Sequence, residues 1–420
     1  MRRVMEQLDT AVVDAGGPQV SVRNPSLAGV SANGEVSNRA SKSPGETRGR
    51  FYRPELDVVR FVAFSLVFCF HTLPWGPGRA TVGVPGVLAQ TIYIFGAMSG
   101  FGLSLFFTLS AFLICELLLR ERDATGAVQA GQFYLRRILR IWPLYFAGLA
   151  VAVFIALLPG GDPRTIPWAG WAAFLLGNWY VVFFEFPHTP MAPLWSISVE
   201  EQFYLIAPWA AKYLSRRLLY LFAFAILLVA NGSLYILGRS HASQDSAWAN
   251  SFVQFENFAA GILLCLALHR RRVAIRAWQR LALIAVAALS WYVAVYGCKM
   301  QHGLDEPLSS SSMIAGYALV AIGCCALLLA FIGVTREALP SWAIYLGRIS
   351  YGLYVFHGLA IMIVGLPFPH GYPSFAKALL VKGAGGAGLT FLLAWLSYSY
   401  FEMPFLKLKK RLEVIESRPL

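Results

Sequence analysis

The chain has 420 residues, 57% of them apolar and 14% charged, with 35 Lys and Arg against 22 Asp and Glu for a formal net charge of +13. A soluble domain carries roughly 25% charged residues mixed along its surface segments, whereas these charges fall in short clusters between apolar stretches of about 20 residues, the length a helix needs to cross a hydrocarbon core. That excludes a disordered protein, a secreted disulfide scaffold and a nucleic-acid-binding domain, and leaves a polytopic membrane protein whose Lys and Arg are held on one side of a bilayer.

Residues 1–50 are rich in Ser, Gly, Asn and Arg, show no hydrophobic periodicity and lack the apolar core of a signal peptide, so they read as a disordered cytoplasmic tail. Eleven apolar runs follow, at about 57–75, 97–119, 141–158, 168–184, 195–213, 218–237, 252–268, 281–297, 313–333, 346–366 and 378–401. They define a membrane domain over 51–406, with 407–420 as a short basic cytoplasmic tail. The cysteines at 69, 115, 265, 298, 324 and 325 show no ligand spacing; they read as small apolar packing residues, and no metal or haem site is expected.

Basic clusters stand at Arg48 to Arg53, Arg120 to Arg140, Lys212 to Arg217, His269 to Arg280, Arg336 to Arg348 and Lys407 to Arg411, and poorly basic loops alternate with them. The positive-inside rule assigns the clusters to the cytoplasm. Eleven crossings would put Lys212 to Arg217 outside. The short run at 168–184, followed by Glu185, Pro187, His188, Pro190 and Pro193, is therefore read as re-entrant or interfacial backbone lining a protein-walled cavity. The expected fold is an all-α bundle of about ten spanning helices with both termini inside, and the 185–193 loop is expected at the outer rim of that cavity.

Titratable groups inside spans are costly, which makes each a functional candidate. Arg60 and His71 are separated by ten residues, all apolar except Ser65. Eleven helical steps return to nearly the same face, with His71 roughly 16 Å from Arg60 and near mid-membrane. A snorkelling arginine and a satisfied core histidine would give the same pattern. Arg137 and Arg140, three apart, are neighbours on one helix face and suit phosphate oxygens of a cytosolic ligand, although anchoring to anionic lipid explains them too. Glu200 and Glu201 point about 100° apart, so at least one must meet a partner or a wet cavity; a structural ion pair with an arginine is the alternative.

Arg60-x10-His71, Arg137-x-x-Arg140-Ile-x-Pro and Trp195-Ser-Ile-Ser-Val-Glu-Glu-Gln-Phe-Tyr204, in this order, closely resemble the membrane acyltransferase family called acyltransferase 3. Arg348-Ile-Ser-Tyr-Gly-Leu-Tyr-Val-Phe-His357 resembles the family's Ser-Tyr-x-x-Tyr-x-x-His element, and Phe401-Glu402-Met-Pro404 its closing Glu-x-Pro. The resemblance runs from about Pro54 to Phe405. It implies a bacterial inner-membrane enzyme, with no bound cofactor, that moves an acyl group, commonly acetyl, from cytosolic acyl-coenzyme A to a hydroxyl of a carbohydrate or other acceptor. By that resemblance His71 is catalytic, with Glu200 or Glu201 orienting its imidazole or positioning the acceptor hydroxyl, and Arg60, Arg137 and Arg140 bind the donor. Ser196, Ser198, Tyr204, Tyr351, His357 and Glu402 are further candidates. No Gly-x-Ser-x-Gly elbow surrounds Ser198 for a role as acyl carrier.

Some family members carry a C-terminal extracytoplasmic hydrolase-like domain. The present chain ends soon after Lys407 to Arg411, so the acyl group is expected to reach its acceptor directly, which favours a lipid-linked saccharide or a small glycosylated molecule. The rival reading is a proton-coupled transporter or exporter of a saccharide, in which the same His, Arg and Glu form a relay; no internal repeat supports it. A catalytically dead member assisting polysaccharide export is a third reading, against which the intact motifs stand.

Overall fold

The computed structural model describes residues 52–73, 86–271, 273–300, 308–368, 371–372 and 374–413. The tail expected over 1–50 and the end of the one expected over 407–420 lie outside the described residues. Every regular element among them is helical. In chain order these are α1 (Pro54–Thr72), α2 (Gly86–Ser99), α3 (Gly102–Thr125), α4 (Ala130–Ala156), α5 (Thr165–Ala173), α6 (Gly177–Phe184), α7 (Trp195–Tyr213), α8 (Arg216–Arg239) and α9 (Gln244–Ala249). There follow α10 (Ser251–Leu268), α11 (Ala277–Tyr296), α12 (Ser310–Phe331), α13 (Ser341–Arg348), α14 (Ser350–Gly365), α15 (Phe375–Ala378), α16 (Gly386–Leu396) and α17 (Met403–Arg411), the last three joined by π-helical turns.

Local chemistry sets the boundaries. Pro54 opens α1 where its missing N–H costs nothing, and Glu55 and Asp57 complement the helix dipole in the first turn. Ser215, Asn250 and Ser309 cap α8, α10 and α12 through their side-chain oxygens. Gly126, at φ 75°, closes α3 by returning its N–H to Arg122 O at 2.9 Å.

Seven helical stretches are long and apolar enough to cross a membrane, or eight if α13 and α14, bent by 75° at their junction, form one span. The sequence reading counts about ten crossings. The difference lies in α1 and α7, each 19 residues long. They carry Glu55, Asp57 and Arg60, and Glu200, Glu201 and Lys212, three charges in each, which keeps them out of the apolar set. The run at 168–184 is not one helix: α5 and α6 span only about 13 and 12 Å at 1.5 Å per residue, and they break at Leu175, whose φ is 60°. Gln202 braces this break, donating to Leu175 O at 2.8 Å and to Asn178 Oδ1 at 2.9 Å while accepting from Ser251 Oγ at 2.6 Å.

The core lies among α1, α3, α4, α7, α10 and α12. Phe258 stacks on Phe107 at 4.9 Å and meets Phe203 at 4.4 Å, tying α10 to α3 and α7. Lipid offers no hydrophobic incentive for helices to associate, so close backbone approach does that work: a Cβ at Gly102 would stand 2.7 Å from Ala63 O. Basic clusters gather at one end of the bundle. There Arg122 donates to Ala211 O and Leu214 O, Arg216 to Leu266 O, and Arg280 to Ile332 O. His269 sits between Glu116 (2.7 Å) and Asp123 (3.0 Å) at the same end.

Candidate functional site

Three adjoining cavities follow α1 from its first turn to its last. The inner one, about 610 Å³, is lined by Tyr52, Arg53, Asp57 and Arg60, by Arg137 and Arg140 of α4, and by Lys409 of α17. It shares Arg60, Ser110, Arg137, Arg140 and Tyr204 with a middle cavity of about 690 Å³. The middle cavity meets the outer one, about 810 Å³, at Leu103 and Tyr354. His71 lines the outer cavity with Phe186, Pro193, Trp195, Asp245 and Trp248.

The expected stripe on α1 is therefore present: Arg60 and His71 both face this row of cavities, at opposite ends. α1 ends one residue beyond His71, at Thr72, so the imidazole stands in the last turn of its helix.

Among the described residues, five cations and one carboxylate, Asp57, line the inner cavity. Asp57 is buried and accepts from Arg60 Nη1 at 2.8 Å and from Tyr52 Oη at 3.1 Å, which fixes the direction of the Arg60 guanidinium. On α4, one residue of offset separates two roles. Arg136 is turned to Glu121 (2.9 Å) and Leu412 O (3.1 Å) and ties the two basic ends together. Arg137 lies over the rings of Phe133 (5.5 Å) and Tyr204 (5.3 Å), and its Nε has no hydrogen-bond partner among the described residues. The two arginines expected to act as a pair, Arg137 and Arg140, thus share one cavity.

In the middle cavity Glu200 accepts hydrogen bonds from the hydroxyls of Ser110 and Tyr204. Glu201, 6% exposed, accepts from Trp142 Nε1 at 3.0 Å and leaves its other oxygen without a partner among the described residues. The paired carboxylates diverge as their 100° offset requires: one meets hydroxyls in a cavity, the other is held by an indole. Neither has a hydrogen bond to His71. Glu200 and Glu201 therefore do not orient that imidazole directly.

The other candidates separate by helix face. Ser196 lines the middle cavity, and its hydroxyl pairs with Tyr354 Oη at 2.7 Å. Ser198 is fully buried against Tyr145 Oη and Gly177 N, both at 3.3 Å, and is absent from the lining of these three cavities. Tyr351 lines the middle cavity and donates to Ile141 O at 2.8 Å. Glu402 is buried, accepts from Ser397 Oγ at 3.0 Å and lies within electrostatic range of Arg140. His357, in α14, is brought to His71: their ring centroids are 5.0 Å apart.

Tyr52, Arg53, Lys409 and Asp245 line these cavities and were not singled out from sequence. Tyr52 and Arg53 precede the first apolar run, and Lys409 lies in a basic cluster read as a tail; nothing in their spacing distinguishes them from ordinary anchors. Asp245, an acid in a poorly basic loop, shares the outer cavity with His71. The only sequence signal there is an acidic side chain three residues before Trp248.

Residues 53–399 match the sequence model of a family described as an acyltransferase domain. A Staphylococcus aureus (strain COL) protein that carries an O-acetyltransferase name is 23% identical over 360 residues, which cover 80% of this chain and 57% of that protein. The peptidoglycan O-acetyltransferase of Listeria monocytogenes is 28% identical over 170 residues, 38% of this chain and 24% of its own length. An O-acetyltransferase of Staphylococcus aureus (strain NCTC 8325) is 28% identical over 173 residues, 39% of this chain and 28% of its own length. The chain thus spans little more than half the length of the first of these relatives. No solved structure matches it.

Proposed function

The chain belongs to the acyltransferase 3 family, and from that premise we propose that it is a multi-pass O-acetyltransferase of the bacterial inner membrane, moving an acetyl group from cytosolic acetyl-coenzyme A to a hydroxyl of a carbohydrate acceptor. The observation that carries the reading is the polarity of the row of cavities, with five cations at one end and His71 at the other. In this reading α1 and α7 also cross the bilayer, giving about ten spans over 51–406, with both termini and the basic end in the cytoplasm.

Arg60, Arg137 and Arg140, together with Arg53 and Lys409, hold the phosphates of the donor. Charged hydrogen bonds from guanidinium to phosphate are short and strong, and the stacking of Arg137 on Tyr204 preorganises one of them. The thioester arm then runs through the middle cavity past Glu200 and Tyr351 toward His71.

An alcohol attacks a thioester poorly until a base removes its proton in the transition state, and an imidazole suits that task near neutral pH. The acceptor oxygen bonds to the acyl carbon as its proton passes to His71. The carbon–sulfur bond then breaks, and the proton is returned to the departing thiolate. The ester and free coenzyme A are the products. Phe186, Trp195 and Trp248 give the outer cavity the aromatic faces that a sugar packs against.

The test is free-thiol release from acetyl-coenzyme A by the purified protein in nanodiscs, with and without glycolipids of the host, for wild type and His71→Ala. Acceptor-dependent release that His71→Ala abolishes is the expected result. Coenzyme A that neither binds nor is released, with a saccharide transported unmodified, overturns the reading.

A further inference from the structure

His357 is fully buried at the junction of α14 with the 190–194 segment, where a Cβ on the neighbouring Gly358 would collide with Pro190 O. Its Nδ1 lies 2.6 Å from the backbone carbonyl of Tyr354. A carbonyl oxygen only accepts, so Nδ1 carries the proton, and the neutral ring presents a bare lone pair at Nε2. That Nε2 is buried and has no hydrogen-bond partner among the described residues. A buried acceptor left unpaired loses its hydration without return, and folds retain such an atom where something must bond to it.

The surroundings narrow what that is. Among the described residues three rings stand against His357. Phe64, with its centroid 6.4 Å away, has nothing to donate. Tyr354, at 5.5 Å, has its hydroxyl engaged by Ser196 Oγ at 2.7 Å and Pro193 O at 2.9 Å. His71, at 5.0 Å and tilted by 46°, is the nearest and the only one of the three with a ring N–H to offer. At that centroid separation a turn of the His71 ring brings two ring nitrogens within hydrogen-bond reach, and His71, in the last full turn of α1, stands at the end of its helix with its side chain on the outer cavity.

We infer that His357 is a positioning residue for His71: its Nε2 accepts the N–H of one His71 ring nitrogen and thereby leaves the other nitrogen bare toward the acceptor hydroxyl. The inference rests on the proposed function, in which His71 takes the hydroxyl proton. An imidazole that rotates freely, or that holds the wrong tautomer, presents a proton where the base must present a lone pair. His357, itself fixed by the Tyr354 carbonyl, removes that ambiguity. When His71 becomes imidazolium the same contact remains favourable, because a charged donor strengthens it.

The experiment compares His357→Phe and His357→Gln in the full chain in nanodiscs, reading kcat and KM for acetyl-coenzyme A by thiol release and the His71 tautomer by ring-nitrogen NMR, with the His71→Ala spectrum as the assignment. His357→Phe fills the volume and removes the acceptor; His357→Gln returns an amide oxygen near the position of Nε2. The expected result is a roughly 10- to 100-fold loss of kcat for His357→Phe, the worth of one hydrogen bond to a group that becomes charged, with the donor KM unchanged. Substantial recovery is expected in His357→Gln, with a single His71 tautomer in wild type that becomes a mixture in His357→Phe. Wild-type kcat in His357→Phe, or equal losses in both variants with the tautomer unaltered, overturns the inference. If His357→Phe does not fold, a mixed His71 tautomer in the wild-type protein overturns it and a single tautomer supports it. Should His71→Ala itself turn over normally, the proposed function fails and the spectrum alone decides whether the two imidazoles are paired.

Discussion

Arg137 lies over the ring of Tyr204, 5.3 Å from its centroid, while the hydroxyl of the same tyrosine donates to Glu200. One side chain of α7 therefore holds a cation by its face and an anion by its edge. Tyr204→Phe separates the two: it keeps the face, worth about 0.5–2 kcal/mol to a cation, and removes the hydrogen bond. Calorimetric affinity for acetyl-coenzyme A should stay near wild type in Tyr204→Phe and fall in Tyr204→Leu. Equal affinities for the two variants would show that the ring does not position Arg137.

Adjacent arginines of α4 should fail in different ways. Arg137→Ala is expected to weaken donor binding by about 1.5–3 kcal/mol, the value of a charged hydrogen bond, with little change in melting temperature. Arg136→Ala strips the buried Glu121 of its ion pair and Leu412 O of its donor, so it should lower the melting temperature and spare donor affinity. Thermal unfolding and calorimetry on both variants check the contrast.

His71→Ala should abolish acyl transfer while leaving the fold and coenzyme A binding intact. The cations proposed to hold the donor line the cavity at the other end of α1, so loss of the imidazole does not reach them. A variant that no longer binds donor would place His71 in the binding of that substrate.

Outside the spans, Asp162 knots two loops. It accepts from the Arg164 side chain at 3.2 Å and from the backbone N–H of His188 at 2.7 Å, and Arg164 foremost, with these backbone donors, brings its pKa down to about 2. A depressed carboxylate pKa gives stabilisation that is fully present above the unfolded value of about 3.9 and is lost as pH falls through the folded value. Proteolytic cutting within the loops at 157–164 and 185–190 should therefore stay constant from neutral pH down to about 4 and rise below it. Asp162→Asn should show raised cutting at every pH, and a flat profile in wild type down to pH 2 would contradict the assignment.

Much of the bundle is legible in the sequence because lipid punishes exposed backbone and charge so heavily: α8, α10, α11 and α12 lie within a few residues of their apolar runs. That the run at 168–184 is unlike a crossing helix is legible from the charge alternation, its shortness and the prolines after it, but its break at Leu175 and the Gln202 and Asn178 contacts that brace it are not. α4 begins at Ala130, well before the apolar run at 141, because its first turns are stabilised by tertiary contacts such as Arg136 to Glu121 and not by hydropathy. Within the site, helical periodicity gives Arg60, His71, Arg137 and Arg140 correctly as members of common faces. It cannot show that Glu200 meets Ser110, 90 residues away, or that His357 of α14 faces His71 of α1, 286 positions earlier in the numbering. Such pairs are created by packing between distant helices and leave no local pattern.

The unbroken course of α1 makes it a gauge as well as a wall. Because Arg60 and His71 ride on one rigid rod, the distance between the guanidinium proposed to grip the donor and the imidazole proposed to act on it is set by residue count and not by loop flexibility. One residue inserted between them would swing His71 about 100° off the cavities, whereas four inserted residues would return it close to phase but displace it by about 6 Å. On the proposed function, the tolerance for donors with longer or shorter reach is thereby written into the number of steps separating two side chains.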